Sequence, residues 1–412
     1  MSQAIQTFVI VGASLAGAKA AETLRAEGFD GRVVLIGDEA RRPYERPPLS
    51  KEYLRGEEDF DAATVHPAGF YDEHDIELRI SSLVRAIDPA KRSITLSTCE
   101  EMAYDRLLLA TGAAPRRISV PGADLPGVRY LRSVEDADGL RQAIGPSAQV
   151  VVIGAGWIGA EVAASTRQLG ASVAMVELAA VPLERVLGPE VGALYRDLHA
   201  AHGVDLHLGV GVEAIVGSGS VDAVRLSDGT VLPASVVVVG VGVTPRAELA
   251  EAAGLSVDNG VLVDEHLQAS APGIFAAGDV ANVYHPRYGR RIRLEHWSAA
   301  LNQGPAAARA MLGHEVVYDR TPYFFSDQYD LGMEYRGWAP TFDEVVLRGD
   351  PASGAFLCFW LRSGKVAAAM NANVWDAGED IEALLQADRP IDASRLADPD
   401  IDLAGLARTP GT

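Results

Sequence analysis

Two stretches of the sequence contain residues that could bind the phosphates of a dinucleotide. In the second stretch, Gly154, Gly156 and Gly159 follow an apolar run at G-x-G-x-x-G spacing. The first glycine permits a tight turn, the second lets the backbone approach a pyrophosphate, and the third lets a helix pack on a strand. Unpaired N–H groups and the dipole of the following helix attract the anion. This pattern predicts a dinucleotide site.

An acidic residue closes the same unit. Glu177 ends the strand that follows the predicted helix, about 20 residues beyond the glycine loop. A carboxylate there can hold both ribose hydroxyls of NAD. It would also repel the extra phosphate of NADPH, because like charges in a binding site disfavour each other. We therefore predict that this site takes NADH.

The N-terminal residues repeat the pattern with one substitution. Gly12, Ser14 and Gly17 occupy the three glycine positions, with Ala16 beside the last, and Asp38 ends the second strand. Serine keeps the side chain small where backbone must approach phosphate. Two copies in one chain, each with its acid, predict that two dinucleotides are bound.

Both motifs need buried parallel strands to position them, because ligands of open α/β sheets bind at the carboxyl ends of the strands. Another buried strand delivers Thr111 and Gly112 to such an edge, and a later one leads to Gly278 and Asp279. The second of these repeats the strand ending of the first motif. We therefore expect it to join the first domain, so that the other dinucleotide domain is inserted.

The predicted fold is α/β, with two Rossmann-like dinucleotide-binding domains plus a C-terminal α+β domain. A chain of 412 residues is long for one core and is expected to divide. The predicted domains are residues 1–115 with 243–322, residues 116–242, and residues 323–412.

Other elements are predicted from short patterns. Alternating runs at 76–80 and 93–96 favour short antiparallel strands, and residues 221–231 favour a hairpin. A helix is expected from about residue 377. The tail after Asp388 is rich in proline and aspartate without periodicity, which predicts partial disorder.

Composition excludes several classes of function. The net charge of −20, from 36 basic and 56 acidic residues, argues against nucleic acid or anionic membrane as a general partner. No apolar run approaches a membrane span and no signal pattern opens the chain, so we expect a soluble, cytoplasmic protein. The two cysteines, Cys99 and Cys358, are far apart, which excludes a Cys-x-x-Cys pair or a metal knuckle.

Some segments are more specific than a glycine loop. In residues 42–51, Pro47 and Pro48 fix an extended backbone that leads to Ser50 and Lys51. Together with the glycine loops, residues 295–297 and residues 326–330 (Ser-Asp-Gln-Tyr-Asp), this segment makes the chain resemble the FAD-containing, NADH-dependent ferredoxin reductases of bacterial oxygenase systems, the putidaredoxin reductase-like family. The resemblance covers nearly the whole chain.

The resemblance implies a glutathione-reductase-like fold, in which an NAD domain interrupts an FAD domain and a C-terminal domain covers the flavin. By resemblance, Ala16 and Arg132 would contact the FAD pyrophosphate and Asp38 the adenosine ribose. Val84 would lie by the adenine, and Asp279 would hold the ribityl chain.

The resemblance also places residues by the flavin ring. Glu295 and the backbone near Trp297 would meet the pyrimidine edge. Lys51 and Glu161 would form an ion pair by flavin N5 and act as the catalytic residues. No metal site is predicted.

The implied activity is transfer of a hydride from NADH to FAD, followed by single electrons to a two-iron ferredoxin that serves a haem monooxygenase or a ring-hydroxylating dioxygenase. The sequence departs from the family at Tyr323, Phe324 and Phe325, where Trp-Phe-Trp is usual. This departure affects the identity of the ferredoxin, which the sequence does not name. We expect a monomer or weak dimer.

An acidic ferredoxin would be repelled by a chain of this net charge unless a local basic face received it. Four arginines around a turn at Tyr288-Gly289 could form that face and steer the partner. These are Arg287, Arg290, Arg291 and Arg293.

One alternative is disfavoured by the cysteines, and two others stay open on sequence. A disulfide reductase of the same fold needs a cysteine pair or a reactive thiol by the flavin, and Cys99 and Cys358 match neither position. A rubredoxin reductase or NADH oxidase differs mainly in its acceptor. A flavin redox sensor resembling apoptosis-inducing factor would depend on a slow complex rather than on turnover.

Overall fold

The computed structural model describes residues 5–408, which form two compact units. Each unit gathers segments that are distant in the sequence. The first unit consists of residues 5–47, 59–114 and 243–320, and the second of residues 48–58, 115–242 and 321–408. The predicted three-domain division stays a prediction; in the observed division, residues 115–242 and 321–408 share one unit.

The described residues contain strands, α-helices and short 3-10 turns. In chain order the strands are β1 (Thr7–Val11), β2 (Arg32–Ile36), β3 (Ile76–Arg79), β4 (Val84–Asp88), β5 (Ser93–Leu96), β6 (Glu101–Ala103), β7 (Arg106–Leu109), β8 (Ala113–Pro115), β9 (Val128–Arg129), β10 (Gln149–Ile153), β11 (Ser172–Glu177), β12 (Asp205–Leu208), β13 (Val212–Val216), β14 (Ala223–Leu226), β15 (Val231–Pro233), β16 (Val236–Val239), β17 (Val243–Pro245), β18 (Val261–Val263), β19 (Ile274–Ala276), β20 (Ala281–His285), β21 (Arg290–Arg293), β22 (Tyr323–Gln328), β23 (Leu331–Gly337), β24 (Glu344–Asp350), β25 (Ala355–Arg362) and β26 (Lys365–Ala372). The α-helices are α1 (Leu15–Ala26), α2 (Glu52–Arg55), α3 (Phe70–Glu73), α4 (Val134–Ala143), α5 (Trp157–Gln168), α6 (Glu184–Ala201), α7 (Glu248–Ala252), α8 (Trp297–Met311), α9 (Gly378–Ala387), α10 (Ala393–Ala397) and α11 (Leu403–Arg408). The 3-10 turns are Pro47–Ser50, Gly278–Val280, Pro286–Tyr288 and Pro351–Ser353.

The first unit is built on a parallel sheet in the order β19-β7-β1-β2-β3. Its strands are almost continuously apolar, because helices and loops bury both faces of a parallel sheet. At its centre, Val9 of β1 lies between Val34 of β2 and Leu107 of β7, and all three are buried. The pairing of β19 with β7 brings residues 274–276 into this sheet, as the strand ending before Gly278 predicted.

One strand prediction in this unit was wrong. Residues 76–79 pair parallel with β2, at the edge of the main sheet, instead of forming an antiparallel strand. An edge strand has one covered face and one open face, so its residues alternate in polarity whichever way it runs. By contrast, β5 (residues 93–96) is antiparallel to β4 and β6, as predicted.

The second unit contains a parallel sheet in the order β12-β11-β10-β16-β9. Strand β10 lies at the centre with the next strand of the chain, β11, beside it, as β1 and β2 do in the first unit. A bulged antiparallel sheet, β13-β14-β15, is attached to it and includes the predicted hairpin.

The C-terminal part of the second unit is an antiparallel sheet in the order β22-β23-β26-β25-β24, with helices packed against one face. The prediction of disorder after Asp388 was wrong for the described tail, since α10 and α11 lie there. Leu396, Leu403 and Leu406 are buried in the same apolar cluster, and burial of these three side chains offsets the entropy of ordering the tail. Residues 409–412 lie outside the described residues.

The predicted fold class is confirmed, with two parallel α/β sheets and a C-terminal α+β region. None of the helices described here combines the length and apolar character needed to cross a membrane.

Candidate functional site

The glycine loop of the first unit joins β1 to α1. Gly12 has a φ of +120°, and a Cβ there would lie 2.0 Å from the carbonyl oxygen of Ala110, so only glycine fits. A Cβ on Gly17 would lie equally close to the carbonyl oxygen of Gly12. These two glycines bring helix and strand into close contact, as the pattern requires.

The beginning of α1 is open to a ligand. Ser14 precedes the helix in an extended conformation and makes no side-chain cap; its hydroxyl donates to the carbonyl of Tyr44 at 3.4 Å. Ala16 is buried, and its carbonyl oxygen lies 2.3 Å from the position that a Cβ on Gly304 would take. The close approach of α8 to α1 therefore requires glycine at position 304, and the predicted contact of Ala16 with pyrophosphate would be made by the backbone.

A cavity of about 330 Å³ opens beside this loop. It lies at the carboxyl ends of β1 and β2, where an open α/β sheet binds ligands. Four residues predicted to contact FAD line it, namely Gly12, Asp38, Val84 and Thr111. The cavity is lined by one loop glycine, a carboxylate and several apolar side chains, and these features fit the adenosine part of a dinucleotide.

Arg246 organises the polar side of this cavity. Its guanidinium Nη1 lies 3.1 Å from Asp38 Oδ2, and its carbonyl accepts the Thr111 hydroxyl at 2.7 Å. The carbonyl of Gly112, at a φ of +69°, accepts the Arg246 amide. Arg246, which follows β17, thus joins Thr111 and Gly112, which precede β8, at the cavity. The sequence analysis did not identify Arg246 as a cavity residue.

The other predicted FAD residues of this unit lie around the start of α8. The Gly278 amide donates to the side chain of Gln303 at 2.8 Å, and Asp279 follows it in a 3-10 turn. Trp297 Nε1 donates to Glu45 at 2.8 Å. Glu295 is exposed and pairs with Arg293 at 2.5 Å.

In the second unit, the loop between β10 and α5 has the same construction. Gly154 has a φ of +97°, and a Cβ there would lie 2.5 Å from the carbonyl oxygen of Gly240. A Cβ on Gly159 would lie 2.0 Å from the carbonyl oxygen of Gly154. Gly156 differs, because a Cβ there would meet nothing within 4 Å. Its open side, at an uncapped helix N-terminus, fits a bound pyrophosphate.

Glu177 lies at the end of β11 and is tied to this loop. Its Oε2 accepts the Ala155 amide at 2.7 Å, and its Oε1 accepts the Ala179 amide at 3.0 Å. The carboxylate thus lies beside the glycine loop, as predicted. It also has a structural task there that the sequence did not reveal.

Arg132 immediately precedes α4. Its amide donates to Asp136 Oδ2 at 3.0 Å, and Ser133 and Asp136 form a capping box at the helix N-terminus. The backbone at Arg132 is therefore held by the cap, and its role toward the FAD pyrophosphate stays a prediction.

The expected direct ion pair between Lys51 and Glu161 is not found in the part of the chain that the structure describes. Lys51 Nζ instead lies 3.0 Å from Asp327 Oδ2 and 4.4 Å from the centre of the Phe325 ring. The Lys51 side chain is 4% exposed and the Asp327 side chain 46%.

Glu161 lies on α5 and is 7% exposed. Its Oε2 accepts the hydroxyl of Ser50 at 2.5 Å, and its Oε1 accepts the hydroxyl of Ser326 at 2.7 Å. Burial raises the pKa of this carboxyl above its usual value, although the charge of Lys51 and both hydroxyl donors act in the opposite direction. A buried acid with a displaced pKa is typical of functional sites.

The residues that replace the family's tryptophans have separate contacts. Tyr323 donates to Glu334 at 2.8 Å, and Phe324 is buried between Trp157 and Tyr335. Phe325 covers the ammonium of Lys51. The replaced positions therefore belong to the surroundings of Lys51 and to the core of the second unit.

The arginine segment forms the hairpin of β20 and β21 in the first unit. Arg287 and Arg290 are exposed. Arg291 is exposed as well, but its guanidinium donates to the carbonyls of Val263 and Asn282 at 2.6 and 3.1 Å. Arg293 pairs with Glu295, so Arg291 and Arg293 both have structural tasks.

Sequence reasoning missed several polar residues around Glu161. Ser326, Asp327 and Gln328 lie in the segment that carried the resemblance, so their presence in the motif was a usable signal. Ser50 also lay in a quoted segment. His199 carried no sequence signal.

Comparisons with known proteins cover nearly all of the chain. The family described as Pyridine nucleotide-disulphide oxidoreductase matches residues 6–304, and the family described as Reductase C-terminal matches residues 323–407.

Individual proteins match over nearly their full lengths. The 5,5'-dehydrodivanillate O-demethylase ferredoxin reductase subunit of Sphingobium sp. is 40% identical, over 98% of each chain. The ferredoxin–NAD(+) reductase component of the anthranilate 1,2-dioxygenase system of Burkholderia cepacia is 40% identical, over 96% of this chain and 98% of that protein. The crystal structure of the ferredoxin reductase for the CYP199A2 system from Rhodopseudomonas palustris superposes with a TM-score of 0.94 at 39% identity, over 98% and 100% of the two chains.

Proposed function

The chain belongs to the pyridine nucleotide-disulphide oxidoreductase family, among the ferredoxin reductases of oxygenase systems, and we propose that it transfers electrons from NADH through FAD to a two-iron ferredoxin. That ferredoxin would feed a terminal oxygenase, either a haem monooxygenase or a ring-hydroxylating dioxygenase. The two relatives from Sphingobium and Burkholderia are named ferredoxin reductases, and this supports a ferredoxin as the electron acceptor.

The observation that carries this proposal is the pair of glycine loops, each with its acid, on two parallel sheets in which four strands follow the same order, β7-β1-β2-β3 and β16-β10-β11-β12. In the first unit, the loop at Gly12 and the carboxylate of Asp38 would hold FAD. In the second, the loop at Gly156 and the carboxylate of Glu177 would hold NADH. The chain would therefore have one site for the FAD that stays bound and a separate site for NADH, the electron donor.

Bound FAD supplies the ability to accept two electrons as a hydride and to give them up singly. The chain supplies position and charge. Lys51 would hold a positive charge, shielded from water by Phe325, that stabilises negative charge developing beside it. Glu161 would shape the nicotinamide site while its two serine donors keep it oriented.

A disulfide reductase is disfavoured by the cysteines. Cys358 is buried within β25, and burial raises the pKa of its thiol well above the usual value, which suppresses the reactive thiolate. Cys99 is exposed on a turn of the first unit and lies outside the residues that line the cavity. Neither is placed like a redox-active pair.

We also propose that the protein works in the cytoplasm, where NADH is available, as a monomer or weak dimer. The ferredoxin would approach the basic hairpin of β20 and β21, where Arg287 and Arg290 are exposed. Arg291 and Arg293 would contribute charge there while also holding the hairpin in place.

The test is steady-state turnover of the FAD-loaded protein with NADH and a choice of acceptors. We expect rapid cytochrome c reduction only when a two-iron ferredoxin is added, with slow oxygen consumption in its absence. Faster turnover with rubredoxin or with oxygen would identify the corresponding alternative enzyme. Negligible turnover with every acceptor, together with a long-lived reduced complex, would favour the redox sensor.

A further inference from the structure

A chain of buried hydrogen bonds leads away from Glu161. The Ser326 hydroxyl donates to Glu161 Oε1 at 2.7 Å, and Gln328 Nε2 donates to Ser326 Oγ at 3.3 Å. Ser326 and Gln328 are two residues apart on β22, so they face the same side of the sheet, and each is 1% exposed.

His199, in the last turn of α6, continues this chain. Its Nε2 lies 2.9 Å from Gln328 Oε1, and the Tyr329 hydroxyl lies 3.2 Å from its Nδ1. A carbonyl oxygen can only accept, so Nε2 must carry the hydrogen and Nδ1 must accept from Tyr329. Every donor in the chain, from Tyr329 through His199 and Gln328 to Ser326, then points toward the carboxylate of Glu161.

The charge state of His199 preserves this direction. The side chain is fully buried. Burial lowers the pKa of His199 to about 4, the nearby His202 acts in the same direction, and the bond to Gln328 only partly opposes them. At neutral pH the ring is therefore uncharged and has one hydrogen to donate.

We propose that His199 is a positioning residue for Glu161, acting through Gln328 and Ser326. The inference deepens the proposed function and rests on it, since that function places Glu161 at the nicotinamide site. The side-chain amide of Gln328 does not release its hydrogens near neutral pH. The chain thus orients the carboxylate and does not conduct protons.

Loss of the His199 donor would leave Gln328 Oε1 without its partner. The amide could then rotate and accept the Ser326 hydroxyl, which would cease to donate to Glu161. A carboxylate that loses a donor is less stable in its charged form, so Glu161 would protonate at higher pH. The other groups that act on Glu161, namely Lys51, Asp327, Tyr195 and the Ser50 hydroxyl, would keep their places.

The experiment is an infrared pH titration of the oxidised, FAD-loaded protein, without NADH or ferredoxin. The carbonyl band of protonated Glu161 is identified by its loss in Glu161→Gln. We expect the midpoint to move to higher pH in His199→Leu, which has similar volume and no donor. His199→Gln can still donate an amide hydrogen to Gln328, so it should keep the wild-type midpoint.

A double-variant comparison tests whether His199 acts through the serine. In a Ser326→Ala background, His199→Leu should produce no additional shift, because the serine that transmits the effect is absent. A wild-type midpoint in His199→Leu, or equal shifts in His199→Leu and His199→Gln, would overturn the inference. If His199→Leu does not fold, His199→Met, which also lacks a hydrogen-bond donor and keeps Gln328 in place, must give the same upward shift.

Failure of the proposed function is separable from failure of this inference. A protein that shows the shift but does not reduce ferredoxin with NADH would contradict the function and support the hydrogen-bond chain. A protein that reduces ferredoxin normally and shows no shift would contradict the chain alone.

Discussion

Glu177 Oε2 accepts the amide hydrogen of Ala155, at 2.7 Å, so the acid at the end of β11 is bonded directly to the glycine loop after β10. The carboxylate therefore holds the loop, in addition to its predicted task of repelling the extra phosphate of NADPH. Two substitutions separate these tasks, because glutamine keeps an acceptor oxygen and removes the charge, whereas alanine removes both.

We expect Glu177→Gln to lower the preference for NADH over NADPH by about tenfold or more, since the removed repulsion between like charges exceeds about 1.4 kcal/mol. Glu177→Ala should lose the same preference and also weaken binding of both nucleotides. The measurement is kcat/KM for each nucleotide at moderate salt. Comparable kcat/KM values for NADH and NADPH in the wild-type protein would show that Glu177 does not select between these nucleotides.

The glycines at positions 154 and 156 should respond differently to alanine. Gly154→Ala forces a side chain into a φ of +97° and against the Gly240 carbonyl, so we expect Tm to fall by several degrees. At Gly156 the φ is −75° and the space is open, so Gly156→Ala should leave Tm unchanged while raising KM for NADH about tenfold. An unchanged KM in Gly156→Ala would place the pyrophosphate elsewhere.

The ammonium of Lys51 should affect reduction by NADH without holding FAD. Lys51→Met keeps an unbranched side chain under Phe325 and removes the charge, so flavin reduction should slow by about tenfold or more with FAD still bound. Lys51→Arg is the matched control that keeps the charge. Stopped-flow measurements decide the matter: wild-type rates in both Lys51→Met and Glu161→Ala would remove these residues from the reaction.

Charge reversal on the hairpin should weaken association with ferredoxin. Arg291 is unsuitable because its guanidinium holds two backbone carbonyls, so Arg287→Glu with Arg290→Glu is the better test. At low salt we expect kcat/KM for ferredoxin to fall several-fold, with turnover on ferricyanide unchanged and the difference fading as salt increases. Arg196→Glu with Arg225→Glu changes net charge equally at exposed surface pairs and is the control. Equal losses in both double variants would mean that net charge, and not this hairpin, governs association.

Acidification should destabilise the fold through His199. Because burial lowers its pKa in the folded protein from 6.5 to about 4, the unfolded chain binds the proton first. Its contribution to stability is therefore present above pH 6.5 and is lost as the pH falls toward about 4, by up to about 3 kcal/mol. Urea unfolding across this range should show a shallower decline for His199→Gln than for the wild type. The same substitution at exposed His314 should leave the slope unchanged, and identical slopes in all three proteins would contradict the expectation.

Local patterns in the sequence were sufficient for both glycine loops and for the acids that close them. The strand that precedes Gly12 or Gly154, the tight turn and the acid at the end of the next strand each depend on residues close in sequence. The assignment of Gly278 to the first sheet also succeeded, because a repeated strand ending indicates a repeated place in a sheet.

Tertiary structure alone decided the direction of β3 and the partners of the buried charges. An edge strand alternates in polarity whichever way it runs, so residues 76–79 gave no sign of being parallel. The contacts of Lys51 with Asp327 and of Glu161 with Ser326 join residues far apart in the chain. His199 meets Gln328 only because α6 packs beside β22, and no periodicity or spacing in a sequence records which polar side chains such packing will bring together.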